Sequence, residues 1–244
     1  MDIKHLSRLI KLTAINKMKY ERIEKAEFAD RPNRFIANCI VNGVSEVVHV
    51  KNTGRCKELL VPGATVYLQK SDNPDRKTKW DLIAVQKGDR LINMDSQVPN
   101  KVVYEWLKEG NLFGEDSYIK PETKYKNSRF DVYVEKDERK AFIEVKGVTL
   151  EEDGIVRFPD APSERAVKHV TELVSAVEEG YEAYVFFVIQ MENVKYFTPN
   201  IKTHKAFADA LKMAEEKGVH ILAYDCIVTK DSIKINKPVN VYLN

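Results

Sequence analysis

Asp131, Glu144 and Lys146 are the residues of this chain whose types and spacing best suit chemistry. They lie in two short runs, Asn127-Ser128-Arg129-Phe130-Asp131-Val132-Tyr133-Val134 and Ala141-Phe142-Ile143-Glu144-Val145-Lys146, on either side of a charged turn. Apolar and β-branched residues alternate in both runs, which predicts the two strands of a hairpin. Strand alternation puts Glu144 and Lys146 on one face and Ile143 and Val145 on the other. An acid and an amine on a strand otherwise fit for burial need partners, a metal or solvent, because an isolated buried charge is costly. Asp131, on the neighbouring strand, is the nearest group able to join them.

Two carboxylates and a strand carbonyl, here that of Val145, are hard oxygen donors suited to Mg²⁺ or Mn²⁺. Lys146 can orient or deprotonate an attacking water and offset charge on a phosphate. An Asp followed about a dozen residues later by Glu-x-Lys resembles the arrangement of PD-(D/E)xK nuclease sites. Taken alone, the tripeptide better suits a surface ion pair between Glu144 and Lys146; Asp131 and the strand pattern bring the site reading level with it. Such a site is expected to draw a further acid from an upstream helix. Glu105 is the first choice and Glu122 the second, although Glu105 also reads as a solvated helix residue.

The elements that must position these groups follow from the chain in order. Between Lys19 and about Gln86 the pattern is short strands. Arg34 to Val41 and Val44 to Val50 flank Asn42-Gly43, a strong hairpin signal. Pro62-Gly63 turns the chain into Ala64 to Leu68, and Trp80 to Val85 makes a further strand. So many short strands in so few residues suggest a small closed barrel, most simply an OB-fold. Two of its loops are basic. One holds Lys51, Asn52, Thr53, Gly54, Arg55 and Lys57, and the other holds Arg76, Lys77, Lys79 and Trp80. Gly54 lets backbone come close to a ligand, Asn52 and Thr53 offer hydrogen bonds, and the cations suit phosphates. Trp80 and Tyr67 are candidates for base stacking. Either loop alone reads as a solvated turn; together with Arg34 they outline a phosphate-binding face.

Beyond Gly88 the character changes. A helix is expected from a cap at Asn100 to a stop at Gly110, with Val103, Trp106 and Leu107 as its apolar stripe. The hairpin follows, then an irregular stretch through Phe158-Pro159-Asp160-Ala161-Pro162. Ser163 caps a helix running to about Glu179, whose Val167, Val170, Val174 and Val177 form a core face. Arg165, Lys168, His169 and Glu172 share another face. Such a stripe is commonly just solvated, but here it follows the Glu-x-Lys strand by one crossover and could reach the same cleft, beside Arg129, to hold a phosphate. Ala183 to Ile189 is apolar throughout, as in a strand buried on both faces. A helix from His204 to Lys217, a strand from Val219 to Tyr224 and an edge hairpin from Cys226 to Ile235 complete the chain. Strands alternating with helices predict a mixed αβ domain with a partly parallel sheet.

The totals exclude little. With 244 residues, 43% hydrophobic and 31% charged, the chain suits one large domain or two modest ones. Its mean hydropathy is −0.40. A net charge of +2 makes any nucleic-acid surface a matter of local clustering. Cys39, Cys56 and Cys226 stand far apart without a Cys-x-x-Cys pair, as in a cytoplasmic protein with reduced thiols. No apolar run has the length of a membrane span. The expected division is an appendage over 1–17, with Met18 as a possible start, an OB-like domain over 18–87 and a nuclease-like domain over 88–244.

From about Arg22 to Ile235 the chain resembles the sugar fermentation stimulation protein A (SfsA) family. The likeness rests on Arg31-Pro32-Asn33-Arg34-Phe35, Asn52-Thr53-Gly54, Val61-Pro62-Gly63, and Ser71-Asp72-Asn73-Pro74 with Arg76-Lys77-Thr78. It continues through Ser128-Arg129-Phe130-Asp131, Glu144-Val145-Lys146, Phe158-Pro159-Asp160-Ala161, Arg165 with Lys168-His169, and Leu222-Ala223-Tyr224. Members often carry a Cys two residues before Asn-Thr-Gly, where this chain has Val50. The resemblance implies an OB-like domain joined to a PD-(D/E)xK nuclease-like domain, DNA binding, and a link with expression of sugar-utilisation genes.

Two functions remain open at this stage. One is a Mg²⁺-dependent phosphodiesterase acting on DNA, with Asp131 and Glu144 on the metal, Glu105 as the candidate further ligand, and Lys146 on the water. The other is a non-catalytic DNA-binding regulator of sugar-metabolism genes that retains the nuclease fold, since fold does not fix activity. A small-molecule enzyme has little support: there is no Gly-rich phosphate loop, no Gly-x-Ser-x-Gly elbow and no dinucleotide fingerprint.

Overall fold

Strand-forming residues dominate the first third of the chain, and in the computed structural model, which describes residues 18–243, they close on themselves. The strands are β1 (Ile23–Asp30), β2 (Ile36–Val41), β3 (Val44–Val50), β4 (Thr65–Lys70), β5 (Trp80–Lys87) and β6 (Arg90–Asn93), in sheet order β3-β2-β1-β4-β5-β6. A parallel pairing of β3 with β5, from Val48↔Trp80 to Val50↔Leu82, shuts the first five into an OB barrel. Asn42 and Gly43 both take positive φ, the twist that a two-residue hairpin turn needs. Ala37, Cys39, Val48, Val66, Leu68 and Leu82 fill the interior. The interior also takes Trp80, only 8% exposed, so this indole is core and not the base-stacking platform expected from its place beside a basic loop. Strands β1 and β6 were not anticipated, and β6 carries the barrel sheet on to Asn93. Residues 1–17, read above as an appendage, lie outside the described residues.

The second unit begins with α1 (Val98–Lys108). Gln97 occupies its cap position and Pro99 its first turn, so Asn100 lies inside the helix and does not cap it. Then follow β7 (Tyr118–Tyr125), β8 (Ser128–Lys136), β9 (Arg139–Val148), β10 (Leu150–Glu152), β11 (Ile155–Phe158), α2 (Glu164–Glu178), β12 (Glu182–Ile189), β13 (Tyr196–Pro199), α3 (Lys205–Glu216), β14 (His220–Thr229) and β15 (Ser232–Pro238). The main sheet runs β15-β14-β12-β9-β8-β7, parallel across β9, β12 and β14 and antiparallel elsewhere. This is the mixed sheet expected. Ser163 caps α2 by accepting from the Ala166 N–H, and Val170 and Val174 are buried beneath it, with Val167 and Val177 packed at the edge. The stretch read as irregular before Phe158 is in fact β10 and β11, which join β13 in a small second sheet.

Packing divides at the main sheet. The face carrying Phe142 and Val148 packs with α2, α3 and the barrel interior, whereas Ala141, Ile143 and Val145 face α1. At the junction of barrel and sheet lies a buried polar knot. The Gln190 side-chain amide donates to Asn93 O at 3.2 Å, Asn93 Oδ1 at 3.0 Å and Asp95 O at 3.0 Å. Asn93 Nδ2 donates to the Tyr20 hydroxyl at 3.1 Å. Asp95, 3% exposed, is neutralised by Lys51, whose side chain is only 18% exposed. Lys51 is therefore a counter-ion of the junction and not the free phosphate ligand that its basic loop suggested.

Removing one partner of such a pair strands the other charge. Lys51→Met should lower stability by about 3–5 kcal/mol in chemical denaturation. A loss under about 1 kcal/mol would show that Asp95 does not depend on this cation.

Candidate functional site

The site begins where two strands part. Strands β8 and β9 pair from Lys136↔Arg139 to Val132↔Ile143 and no further. Beyond that point Ser128 to Phe130 pair only with β7, and Glu144 to Val148 pair with β12. Asp131 and Glu144 are the first residues past the fork. The Val145 N–H, left without a β8 carbonyl, donates to Asp131 Oδ2 at 2.8 Å. A strand residue's N–H and C=O point to the same side, so the Val145 carbonyl opens into the same gap.

Three elements fix the groups around the fork. From α1, Asn100 Nδ2 donates to Asp131 Oδ1 at 2.8 Å. That contact depends on Gly147, the residue after Lys146, whose missing Cβ leaves room for the Pro99 ring and the Gln190 amide. From β9, Lys146 Nζ donates to Glu144 Oε1 at 2.6 Å. From α2, His169 Nδ1 meets the same oxygen at 2.5 Å, and Arg165 Nε stands 3.5 Å from His169 Nε2. The buried side of α2 thus takes His169 out of the charged stripe and turns it on Glu144.

Glu144 is 2% exposed, and its second oxygen, Oε2, is buried without a hydrogen-bond partner. Burial alone would raise its pKa, but His169 and Lys146 outweigh that and hold it below the usual carboxylate range. Asp131 goes the other way: burial, and behind it the charge of Glu144, pushes it above that range. Two neighbouring acids are thus driven apart in proton affinity. The orphaned Glu144 Oε2, Asp131, which feels the charge of Glu144, and the Val145 carbonyl are hard oxygens at the fork, of the chemistry that suits a divalent cation. The described side chains contain no group of three or more His, Cys, Asp or Glu able to hold a metal, so the carboxylate share of this set is two.

The further acids expected here lie elsewhere. Glu105 accepts from the Met18 N–H at 2.9 Å and neighbours Lys234 of β15, at the sheet edge remote from β8. Its position five residues after Asn100 turns it about 140° round the helix. Glu122 lies on edge strand β7 between the register pairs Pro121↔Val132 and Thr123↔Phe130, but it has a φ of 49° and its side chain is exposed and paired with Arg129 at 3.3 Å. Neither joins Asp131 and Glu144.

Residues 97–232 match the sugar fermentation stimulation protein RE domain, and residues 30–94 match the SfsA N-terminal OB domain. The sugar fermentation stimulation protein homolog of Clostridium beijerinckii is 63% identical over 226 residues, which cover 93% of this chain and 100% of that protein. The chain belongs to the SfsA family. The homolog of Ruminiclostridium cellulolyticum is 60% identical over 93% of this chain and 100% of its own length. Among solved structures, that of Pyrococcus furiosus SfsA in complex with Ca²⁺ superposes with a TM-score of 0.84 at 27% identity, covering 92% of this chain and 98% of the other.

The cations expected from the sequence to hold phosphates separate into two sets. Arg165, Lys168 and Arg129 line a cavity of about 490 Å³ beside His169. On the barrel, Arg34, Arg55 and Lys57 line another of about 290 Å³. Arg76, by contrast, is held in a two-pronged pair by Asp81 at 2.9 and 2.7 Å, and Lys79 pairs with Glu46 at 3.2 Å. Of that second loop only Lys77 remains exposed without an ion pair among the described residues. Asn52 and Thr53 border a cleft of about 190 Å³ between barrel and sheet. The close approach that Gly54 permits is filled from within the protein: the Asp160 carboxylate lies where a Cβ would stand and accepts from the Arg55 N–H at 2.9 Å.

Arg31, not singled out from sequence, shapes this loop. Its guanidinium donates to the carbonyls of Gly54 and Arg55 at 2.9 Å, of Arg34 at 2.8 Å and of Asn52 at 2.7 Å. Asn100 and Gln190 were missed as well. Polar residues that reach a site from an element distant in sequence leave no local signature, although the Arg31-Pro32-Asn33-Arg34 run was visible as a motif.

The opposed shifts carry signs that can be checked. Asp131 holds a proton more tightly folded than unfolded, so it favours folding as pH falls and opposes it as pH rises past its raised value. Glu144 does the reverse: its contribution is present above the ordinary carboxylate pKa and lost as pH falls through its lowered folded value. Asp131→Asn should raise Tm by about 2–4 °C at neutral pH, with the gain shrinking toward mildly acid pH. A lower Tm for this variant at neutral pH would show that the charge on Asp131 is not strained.

Proposed function

We propose that this protein is a Mg²⁺- or Mn²⁺-dependent phosphodiesterase acting on DNA. The observation that carries the reading is the buried, unpartnered Glu144 Oε2 at a strand fork shared with Asp131 and flanked by Lys146. A buried carboxylate oxygen with no donor is costly, and a cation is the partner that this oxygen-rich gap suits. The Ca²⁺ found with the Pyrococcus furiosus relative adds to that support.

Asp131, Glu144 and the Val145 carbonyl would hold the metal. When bound, it supplies charge stabilisation at a phosphate and a more acidic water. The protein's own groups do the rest. Asn100 and His169 fix the two carboxylates from opposite sides of the sheet. Lys146, beside Glu144, is within reach of a water poised over the fork and offsets charge developing on the phosphate. Arg129, Arg165 and Lys168 hold the strand next to His169, and Arg34, Arg55 and Lys57 hold it on the barrel through phosphates, without sequence preference.

One observation favours a second reading, a non-catalytic DNA-binding regulator of sugar-metabolism genes. Glu144 Oε1 is already occupied by both Lys146 and His169, and only two acids converge. Cleavage separates the two readings. Labelled single- and double-stranded DNA incubated with Mg²⁺ or Mn²⁺ should be cut by the wild type and not with chelator, and Lys146→Ala should lose at least about a hundredfold in rate. Binding without cutting in any metal favours the regulator. In binding titrations, joint replacement of Arg34, Arg55 and Lys57 by Ala should flatten the dependence of log K on log salt by about 2–3 units. Arg76→Ala should leave that slope in place; the reverse pattern would move the phosphate contacts to the other loop.

A further inference from the structure

We infer that the barrel takes single-stranded nucleic acid and that Phe35 is the residue on which a base stacks. This rests on the nucleic-acid reading above and specifies the substrate class within it. An exposed apolar side chain is ordinarily unremarkable, so the inference depends on how this one is held. Phe35 is 56% exposed, whereas Trp80 is core and Tyr67 only half-exposed. Among the described aromatics of the barrel it alone is exposed by more than half.

Its backbone is fixed on every side. The Phe35 N–H donates to Asn33 Oδ1 at 2.8 Å, the Ile36 N–H donates to the same oxygen at 3.1 Å, and the Phe35 carbonyl accepts from the Val50 N–H at 2.8 Å. The preceding carbonyl, of Arg34, is held by Arg31, which also grips the Asn52–Arg55 loop. The ring is thus presented from a frame already ordered before any ligand arrives, which lowers the entropic cost of binding.

The surroundings specify the ligand. Arg34, Arg55 and Lys57, all exposed and without ion pairs among the described residues, lie along the same braced segments. Cations suit a sugar-phosphate backbone, and an aromatic face suits an unstacked base. The two together are the chemistry by which OB barrels hold single strands. In a duplex the base faces are covered by their neighbours, so a stacking platform adds nothing there.

The test compares three ligands of equal length: a thymidine oligonucleotide, an abasic strand with the same phosphates, and a blunt duplex. The wild type should bind the thymidine strand most tightly. Phe35→Ala should weaken that binding roughly 5- to 150-fold, leave the abasic strand and duplex within about twofold, and leave the salt slope unchanged. Phe35→Trp should retain binding and show quenching of the new indole by the thymidine strand and not by the abasic one. If the thymidine and abasic strands bind alike and Phe35→Ala changes neither, the proposal fails while DNA binding through phosphates stands. If Phe35→Ala weakens all three ligands equally, stacking is likewise excluded. If the wild type binds no strand even at low salt, the nucleic-acid reading itself falls and carries this proposal with it.

Discussion

The fork between β8 and β9 is the constraint on which the rest of the structure depends. An antiparallel pair satisfies its backbone groups mutually, and separating it inside a domain leaves donors and acceptors that must find other partners. Here the Asp131 carboxylate replaces the departed strand as acceptor for the Val145 N–H. That substitution brings one acid into the gap opposite a second, Glu144, and burial makes their repulsion strong. Lys146 and His169 answer the charge on Glu144, and Asn100 steadies Asp131. One oxygen of Glu144 stays unsatisfied. The site is an arrangement of unmet needs held in place by a sheet that is satisfied elsewhere.

The rest of the fold keeps that arrangement in register. Helix α1 reaches the fork because Gly147 has no side chain to hold it off, and Gln190, which shares the space left by the missing Cβ, ties the same place to the barrel through Asn93 and Asp95. The cations divide by role. Lys51 and Arg76 are matched to Asp95 and Asp81 and serve structure, whereas Arg34, Arg55 and Lys57 are left on the surface by a loop whose carbonyls Arg31 has gathered. Surface charge near a loop is thus a poor guide to ligand contact until each cation's own carboxylate has been found.

Much of this was legible from residue order alone, for identifiable reasons. Period-two alternation around Asp131 and Glu144, the buried run of β12, the Ser163 cap and the Asn42-Gly43 turn are local signals, and the elements they mark are where expected. The barrel was legible from strand spacing, but β1 was not, since its outward Glu24, Lys25 and Glu27 dilute the apolar alternation. Site residues divided in the same way. Asp131, Glu144 and Lys146 lie on strands whose facing is fixed by parity, and they meet. Glu105 and Glu122 were placed by proximity in sequence, and helix rotation in one case and an exposed side chain paired with Arg129 on the edge strand in the other keep them out of the fork. Trp80 shows the same limit: its neighbours are polar loop residues, while its own Cα already belongs to a strand facing inward.

A protein of the SfsA family thus presents a braced basic barrel beside a carboxylate fork with the composition of a metal site. The most direct test is calorimetric titration of Mn²⁺ into the wild type, Asp131→Asn and Glu144→Gln. The account predicts one saturable site in the wild type, lost or weakened at least tenfold in both variants. Equal Mn²⁺ binding by all three proteins, or none by the wild type, would contradict it.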